Sequence, residues 1–285
     1  MRTHCAVLLA GTISIVGSIG TTGFCQAAET IQSHLVRSII GRTVESRDGD
    51  KLGKVKDFVV EMRLGQVEYA IISSGGVAGL GSTSKPVPPQ AVSLATAKKG
   101  TVALGGSGLR WEKAPTVRRS ELASLSAPSR LRAIYEFYGQ MPPRLGMAPV
   151  TNAFWVPAVS TRTGVENGPS ARRSTAGPLQ LASDLIGAAV VNRQQEKLGK
   201  VSDLLVDLSG QKPSYAIISA KLSRTERSFA VPLALLTLPV GNKIFLDASR
   251  RQFEQAQIFD QKIWQAASIS PNGIYVFPDR QTKSN

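Results

Sequence analysis

The sequence predicts a mostly β protein: two small antiparallel β-barrels joined by a Pro/Ser/Arg-rich linker that carries a short helix. Three observations predict it. The pentapeptide Lys-Leu-Gly-Lys-Val occurs at 51–55 and again at 197–201, 146 positions further on. At the same offset Tyr69-Ala70-Ile71-Ile72-Ser73 falls on Tyr215-Ala216-Ile217-Ile218-Ser219, identical at all five positions. Around both blocks, short apolar or alternating runs are separated by turn residues at close intervals, the rhythm of a small barrel or sandwich.

The match extends through each copy in order. Ile39-Ile40-Gly41 falls on Leu185-Ile186-Gly187, Val44 on Val190, Asp57 on Asp203 and Val60 on Val206. The offset then slips to 144, where Val87-Pro88 meets Val231-Pro232, and to 142, where Trp111-Glu112-Lys113-Ala114 meets Phe253-Glu254-Gln255-Ala256. Small losses between matching blocks are loop-length changes, and a period this long belongs to a duplicated domain rather than a solenoid. In copy one, 43–47 alternates and Asp48-Gly49-Asp50 supplies turn chemistry. Residues 52–62 read as a long strand, Leu64-Gly65-Gln66 as a turn, and 67–73 as a buried central strand. Residues 85–88 and 101–104 add two shorter strands. The corresponding segments of copy two are 189–193, 198–208, 214–220, 228–232 and 243–246.

The repeated pentapeptide has a physical reading. Gly53 and Gly199 lack a Cβ, so the long strand can bulge or bend there, as a barrel corner requires. Leu52 with Val55, and Leu198 with Val201, then turn inward. Lys51, Lys54, Lys197 and Lys200 are left facing water, either as solvated corner residues or as a basic contact surface repeated once per domain. They are the candidate partner-binding residues.

The ordered set Ile/Leu-Ile-Gly, turn, Lys-Leu-Gly-Lys-Val-x-Asp, Tyr-Ala-Ile-Ile-Ser, Val-Pro resembles the PRC-barrel family. That family is named for the cytoplasmic part of the photosynthetic reaction-centre H subunit and includes a domain of ribosome-maturation factors and many stand-alone bacterial proteins. The resemblance covers roughly 35–118 and 181–260 and implies two tandem PRC-type barrels. Copy one also has the glycine-rich loop 75–81 common in stand-alone members. Copy two departs from the pattern twice: Asp48-Gly49-Asp50 becomes Gln194-Gln195-Glu196, and the glycine loop becomes the charged stretch 220–227. Copy two is therefore expected to have lost or replaced what those loops do.

The N-terminus has the three-part layout of a secretory signal: a basic head, an uncharged apolar stretch 5–19, and small residues leading to a cleavage site after Ala27. The alternative is an uncleaved anchor over 5–24. Cleavage removes both cysteines, so an exported mature chain holds itself together by packing rather than disulfides. The expected organisation is a signal peptide at 1–27, barrels at 35–118 and 181–260, a basic linker at 119–180 with a helix at 129–140, and a tail at 261–285. The helix would place Leu131, Ile134, Tyr135 and Tyr138 on one side. A second helix over 249–258, an edge strand over 273–277 and an isolated Phe154-Trp155 pair complete the reading.

Charge and missing chemistry bound the function. The chain carries 34 Lys and Arg against 20 Asp and Glu, a net +14, which points to an acidic partner, an anionic envelope component or nucleic acid. Contact with a membrane surface stays open. Aromatic content of 6% and the absence of a basic-aromatic strand pattern weigh against nucleic acid. After cleavage the one histidine is His34, expected in a flexible, solvated stretch, so no Ser-His or Cys-His site can be assembled. Zinc lacks ligands, calcium lacks a loop, and 75–81 lacks the Lys-Ser/Thr and helix of a phosphate loop. Paired carboxylates stay open, Glu61 with Glu68 or Asp203 with Asp207 approaching across strands. The expectation is a non-enzymatic, cofactor-free exported bacterial protein. It would act as an interaction module in the periplasm or envelope, or be secreted, and bind an acidic partner. The alternative is an RNA- or ribosome-associated protein if the N-terminus is not an export signal.

Overall fold

The computed structural model describes residues 33–75, 82–94, 100–105, 111–142, 177–209, 214–222, 225–238, 243–254, 258–260, 268–269 and 275–276. The signal segment, most of the glycine loop and the Phe154-Trp155 pair lie outside them.

Copy one opens with β1 (Ser33–Leu35) and a one-turn helix α1 (Val36–Ile39), followed by β2 (Thr43–Glu45), β3 (Lys51–Glu61), β4 (Gln66–Ser74), β5 (Thr83–Val87), β6 (Val92–Ser93) and β7 (Thr101–Leu104). A 3-10 segment, Arg119–Ser126, leads into α2 (Pro128–Phe137). Copy two repeats the order with β8 (Leu179–Leu181), α3 (Ala182–Leu185), β9 (Ala189–Val191), β10 (Lys197–Asp207), β11 (Tyr215–Leu222), β12 (Thr225–Pro232), β13 (Leu236–Thr237), β14 (Lys243–Leu246) and α4 (Arg250–Glu254). The short pair β15 (Ser268–Ile269) and β16 (Tyr275–Val276) lies in the tail.

Each copy forms one curled sheet, a half-barrel, with strand orders β5-β4-β3-β2-β7-β6 and β12-β11-β10-β9-β14-β13. The sheets are not wholly antiparallel: β2 runs parallel to β7, and β9 parallel to β14. The chain leaves the far edge through a 3-10 turn after Pro88 or Pro232 and returns beside the first strand, which fixes that direction. Pro86 lies in β5, an edge strand, where its missing N–H costs no ladder bond.

The expected corner is present in both copies. Val44 pairs with Gly53 but Glu45 pairs with Lys51, so Leu52 is an extra residue; Leu198 is extra in the same way between Lys197 and Gly199. The glycines are needed for close approach. A Cβ on Gly53 would lie 2.0 Å from the Ser73 carbonyl oxygen, and one on Gly199 would lie 2.5 Å from that of Ser219.

The two copies interleave. β1, which leads copy one, pairs with β10 of copy two from Ser33↔Asp207 to Leu35↔Leu205. β8, which leads copy two, pairs with β3 of copy one from Leu179↔Glu61 to Leu181↔Val59. Boundaries drawn at 35 and 181 therefore cut through an exchanged element. The helix behind each exchanged strand has Leu35 or Leu181 at its N-cap, with no oxygen to offer its free N–H groups. A carboxylate of the opposite copy supplies it: Asp203 accepts from the Arg37 N–H at 3.2 Å, and Asp57 accepts from the Ser183 N–H at 3.1 Å and from its hydroxyl.

Two expectations are corrected. His34 is not in a flexible stretch: it pairs with Val206 inside β1, and burial together with Arg42 lowers its pKa. Residues 119–142 are not irregular linker but a packed part of the first half-barrel. Leu131, Ile134, Tyr135 and Tyr138 are all buried, as the helical spacing predicted. The Tyr135 hydroxyl donates to the Glu68 carbonyl at 2.9 Å, and the Tyr69 hydroxyl to the Leu125 carbonyl at 3.2 Å.

Candidate functional site

A second bulge in β3 builds the site. Val55 pairs with Ile72 and Asp57 with Ile71, leaving Lys56 as the extra residue. Bulges re-aim side chains, and Lys56 joins the lining of a cavity of about 250 Å³ beside the strand. Ile71, Val117, Leu122 and Leu181 give its apolar walls, while Lys56, Arg118 and Arg119 add three cations. Ser183 and Leu181 come from copy two, so the strand exchange completes the cavity. The Lys56 ammonium donates to the Ser84 hydroxyl at 3.2 Å, and Ser84 in turn accepts the Val117 N–H through its carbonyl at 2.8 Å. Arg119 is paired with Asp184 at 2.5 Å. Among the described residues Arg118 has no ion-pair partner. Asp57 also lines the cavity, with both oxygens engaged by Phe58 and Ser183. The lining therefore holds three cations and one carboxylate, with Arg119 already paired to Asp184, and keeps a net positive charge.

Copy two has the same bulge and no equivalent set of groups. Ser202 stands where Lys56 does and turns its hydroxyl back onto the Ile217 carbonyl at 2.9 Å. Phe259 makes the bond to Ser228 that Val117 makes to Ser84, at 2.7 Å, and so marks the place of Val117. Its side chain packs with Leu35 against Leu205, Tyr215, Ile217 and Ala230. Asp260 follows where Arg118 stands. Phe259 thus stands in the place of Val117, and Ser202 and Asp260 stand in the places of the cations Lys56 and Arg118.

The PRC-barrel domain model matches residues 32–101 and 180–252, together just over half of the chain. The chain belongs to the PRC-barrel family. Both matched stretches begin at the strand that is handed to the other copy, so exchange takes place within the family's unit rather than outside it. No curated protein matches the chain.

Within this tandem PRC-barrel protein the lysines chosen from the sequence are placed as follows. Lys51, Lys54, Lys197 and Lys200 are all exposed, and none forms an ion pair with another described residue. They occupy the starts of β3 and β10, whereas the exchanged strands pair with the far ends, more than ~15 Å away along the strand. None of the four lines the cavity, although Lys54 lies only two residues before Lys56 on β3. Lys56, one bulge further along, was missed by the repeat comparison because it differs between copies. That same difference was the available signal: Lys56 against Ser202, Val117 against Phe259 and Arg118 against Asp260.

The proposed carboxylate pairs divide. Asp203 and Asp207 lie four residues apart on one strand, about 13 Å, and do not approach across strands. Glu61 and Glu68 do come together, and both are buried. Burial, and then the neighbouring Glu61, push the Glu68 carboxyl up to about 7. One Glu61 oxygen accepts from the Leu64 N–H, while the other has no hydrogen-bond partner and lies against Gly177. Neither acid lines the cavity. Among the described residues no three His, Asp or Glu side chains are placed to hold a metal ion.

Proposed function

We propose that this PRC-barrel protein is a non-enzymatic, exported interaction module that works in the periplasm or cell envelope and binds an acidic partner. The observation that carries the reading is the cationic cavity that both copies build together, with Lys56 and Arg118 free to meet an anion. Lys51, Lys54, Lys197 and Lys200 extend positive charge over the two strand corners. Among the described residues the close carboxylate pair, Glu61 and Glu68, does not line that cavity, which supports a binding role for it. The N-terminal layout supplies the route to the envelope.

Fractionation followed by crosslinking in intact cells tests the reading. The expected outcome is an envelope or periplasmic protein whose N-terminus begins at Ala28, crosslinked to an acidic protein. Changing the four corner lysines and Lys56 to Gln reduces that capture, and added salt weakens it. Recovery in the cytoplasm with an intact N-terminus, and salt-dependent retention of RNA there, would replace this reading with the ribosome-associated one.

A further inference from the structure

We infer that the seam of copy one, the edge of β3 that receives β8, is keyed to copy two: it accepts the leader β8–α3 and excludes the leader β1–α1 of a second chain, so copy one pairs with a copy-two unit and not with another copy one. This is independent of the acidic-partner reading. Leu179 and Asp207 are Ser33 and Glu61 moved on by the repeat offset of 146, so Leu179↔Glu61 and Ser33↔Asp207 are equivalent pairs. Each copy also keeps the aspartate that caps the incoming helix, Asp57 or Asp203. By backbone pairing and capping alone, copy one could take its own kind of leader from another chain and form a two-fold pair. Two differences in side chains stand against it.

The first is shape. Gly177, two residues ahead of Leu179, approaches the end of β3 so closely that a Cβ there would overlap a Glu61 oxygen and lie 2.7 Å from the Arg63 Cβ. The Arg63 Cβ is fixed to the backbone. The Glu61 carboxyl is buried and held by the Leu64 N–H, so neither yields freely. At the equivalent place the sequence of copy one has the β-branched Ile31, just before the described residues. Copy two has Asp207 and Ser209 where copy one has Glu61 and Arg63; both are shorter, and the Ser209 hydroxyl is turned onto Asp207. The second difference is charge. Ser183 lines the cavity with Lys56, Arg118 and Arg119, and Asp184 pairs with Arg119 at 2.5 Å. The leader of copy one has Arg37 and Ser38 at those places, so on its own seam it would bring a further cation and withdraw the carboxylate. On copy two the same Arg37 gives its N–H to Asp203, and Ser202 and Asp260 replace Lys56 and Arg118. Arg119 and Asp184 are exposed, so the charge difference is weak alone and screened by salt, and shape carries most of the exclusion. A clash joined to a like charge is a general route to discrimination between near-identical partners.

Capture from mixed chains tests this. Two full mature chains with different N-terminal tags, each cut at a protease site within 143–176, are unfolded together, refolded and captured on one tag. The copy-two half is expected in the capture, with at least about tenfold less of the other tag. Carrying the copy-two residues into both copy-one leaders, Ile31→Gly with Arg37→Ser and Ser38→Asp, is expected to bring the second tag into the capture. Equal capture of the second tag by the parent, or no gain with the changed leader, would overturn the inference. The uncut chain supplies a second measurement. Gly177→Ile is expected to lower its urea midpoint, and to lower it by a clearly smaller amount when Glu61→Asp and Arg63→Ser copy the other seam. Where Gly177→Ile alone does not fold, a folded triple variant is the same result. An equal loss in both backgrounds, or a triple variant that does not fold, removes the shape key and the inference with it.

Discussion

Single residues carry the difference between two copies of one fold. Lys85 is 4% exposed, with its ammonium 4.6 Å from the centre of the Trp111 ring and donating to the Trp111 carbonyl. At the corresponding places copy two has Phe229 and Phe253, their rings 4.7 Å apart. A buried cation over an indole has replaced an aromatic pair, and the ring face compensates part of the desolvation that lowers the Lys85 pKa. Glu68 is the other residue of this kind, since copy two has Ser214 there. Its folded pKa of about 7 lies above the ordinary value of 4.5, so the folded chain binds more protons than the unfolded chain between those pH values. Stability from this group is therefore greatest below pH 4.5, falls as pH rises towards 7, and is flat above; the span is up to ~3 kcal/mol. Glu68→Gln removes the titration. The measurement is the urea midpoint at pH 5 and pH 8 for both proteins. The variant should gain on the parent at pH 8 and not at pH 5, and a parallel pH response would refute the assignment.

At the scale of elements, two bulges in each long strand do separate work. The first, at Leu52 and Leu198, bends the strand where glycine lets a neighbouring carbonyl approach. Gly53→Ala or Gly199→Ala should each cost more than ~2 kcal/mol, because the new methyl collides with backbone rather than with a movable side chain. Gly105→Ala is the control: its methyl would sit 3.4 Å from the Ala91 carbonyl oxygen, in near-ordinary contact, and should shift the unfolding midpoint little. This first bulge was legible in the sequence because the residues that make it are repeated. So were the strands, with 101–104 and 243–246 placed to the residue, since apolar alternation is a local signal. The second bulge was not legible: it aims Lys56 in one copy and Ser202 in the other, and a comparison that seeks identity passes over it. β1 and β8 escaped for a different reason, three residues being too few to show a period. Asp57 and Asp203 were visible as repeated residues, but their partners lie 126 and 166 positions away, and no local pattern reports that. The turn at 194–196 shows the converse. Gln195 takes the left-handed conformation that Gly49 holds in copy one, supported by Asn192 bonding Glu196, so the changed letters preserve the turn.

For the whole molecule, exchange of β1 and β8 makes the two copies one folding unit. Neither half-barrel has its own seam strand or its own helix cap; each takes both from the other copy. The contact is extended by the Ser214 N–H donating to the Gly65 carbonyl at 2.7 Å and the Met62 N–H to the Pro178 carbonyl at 3.2 Å. The ladders at Val59–Glu61 and Leu205–Asp207 join the copies directly. The full chain should therefore unfold in one cooperative transition, and a protease site placed within 143–176 should be cut without releasing either half. The cut halves should co-elute in size-exclusion chromatography and separate only in denaturant. Expressed alone, 28–142 and 177–285 should each be poorly folded, and mixing them should restore both the native far-ultraviolet spectrum and the cavity, because Leu181 and Ser183 reach it only from the second half. Two halves that fold independently, melt separately and run as monomers after cleavage would show that the exchanged strands are incidental, and the composite cavity would then be the first conclusion to fall.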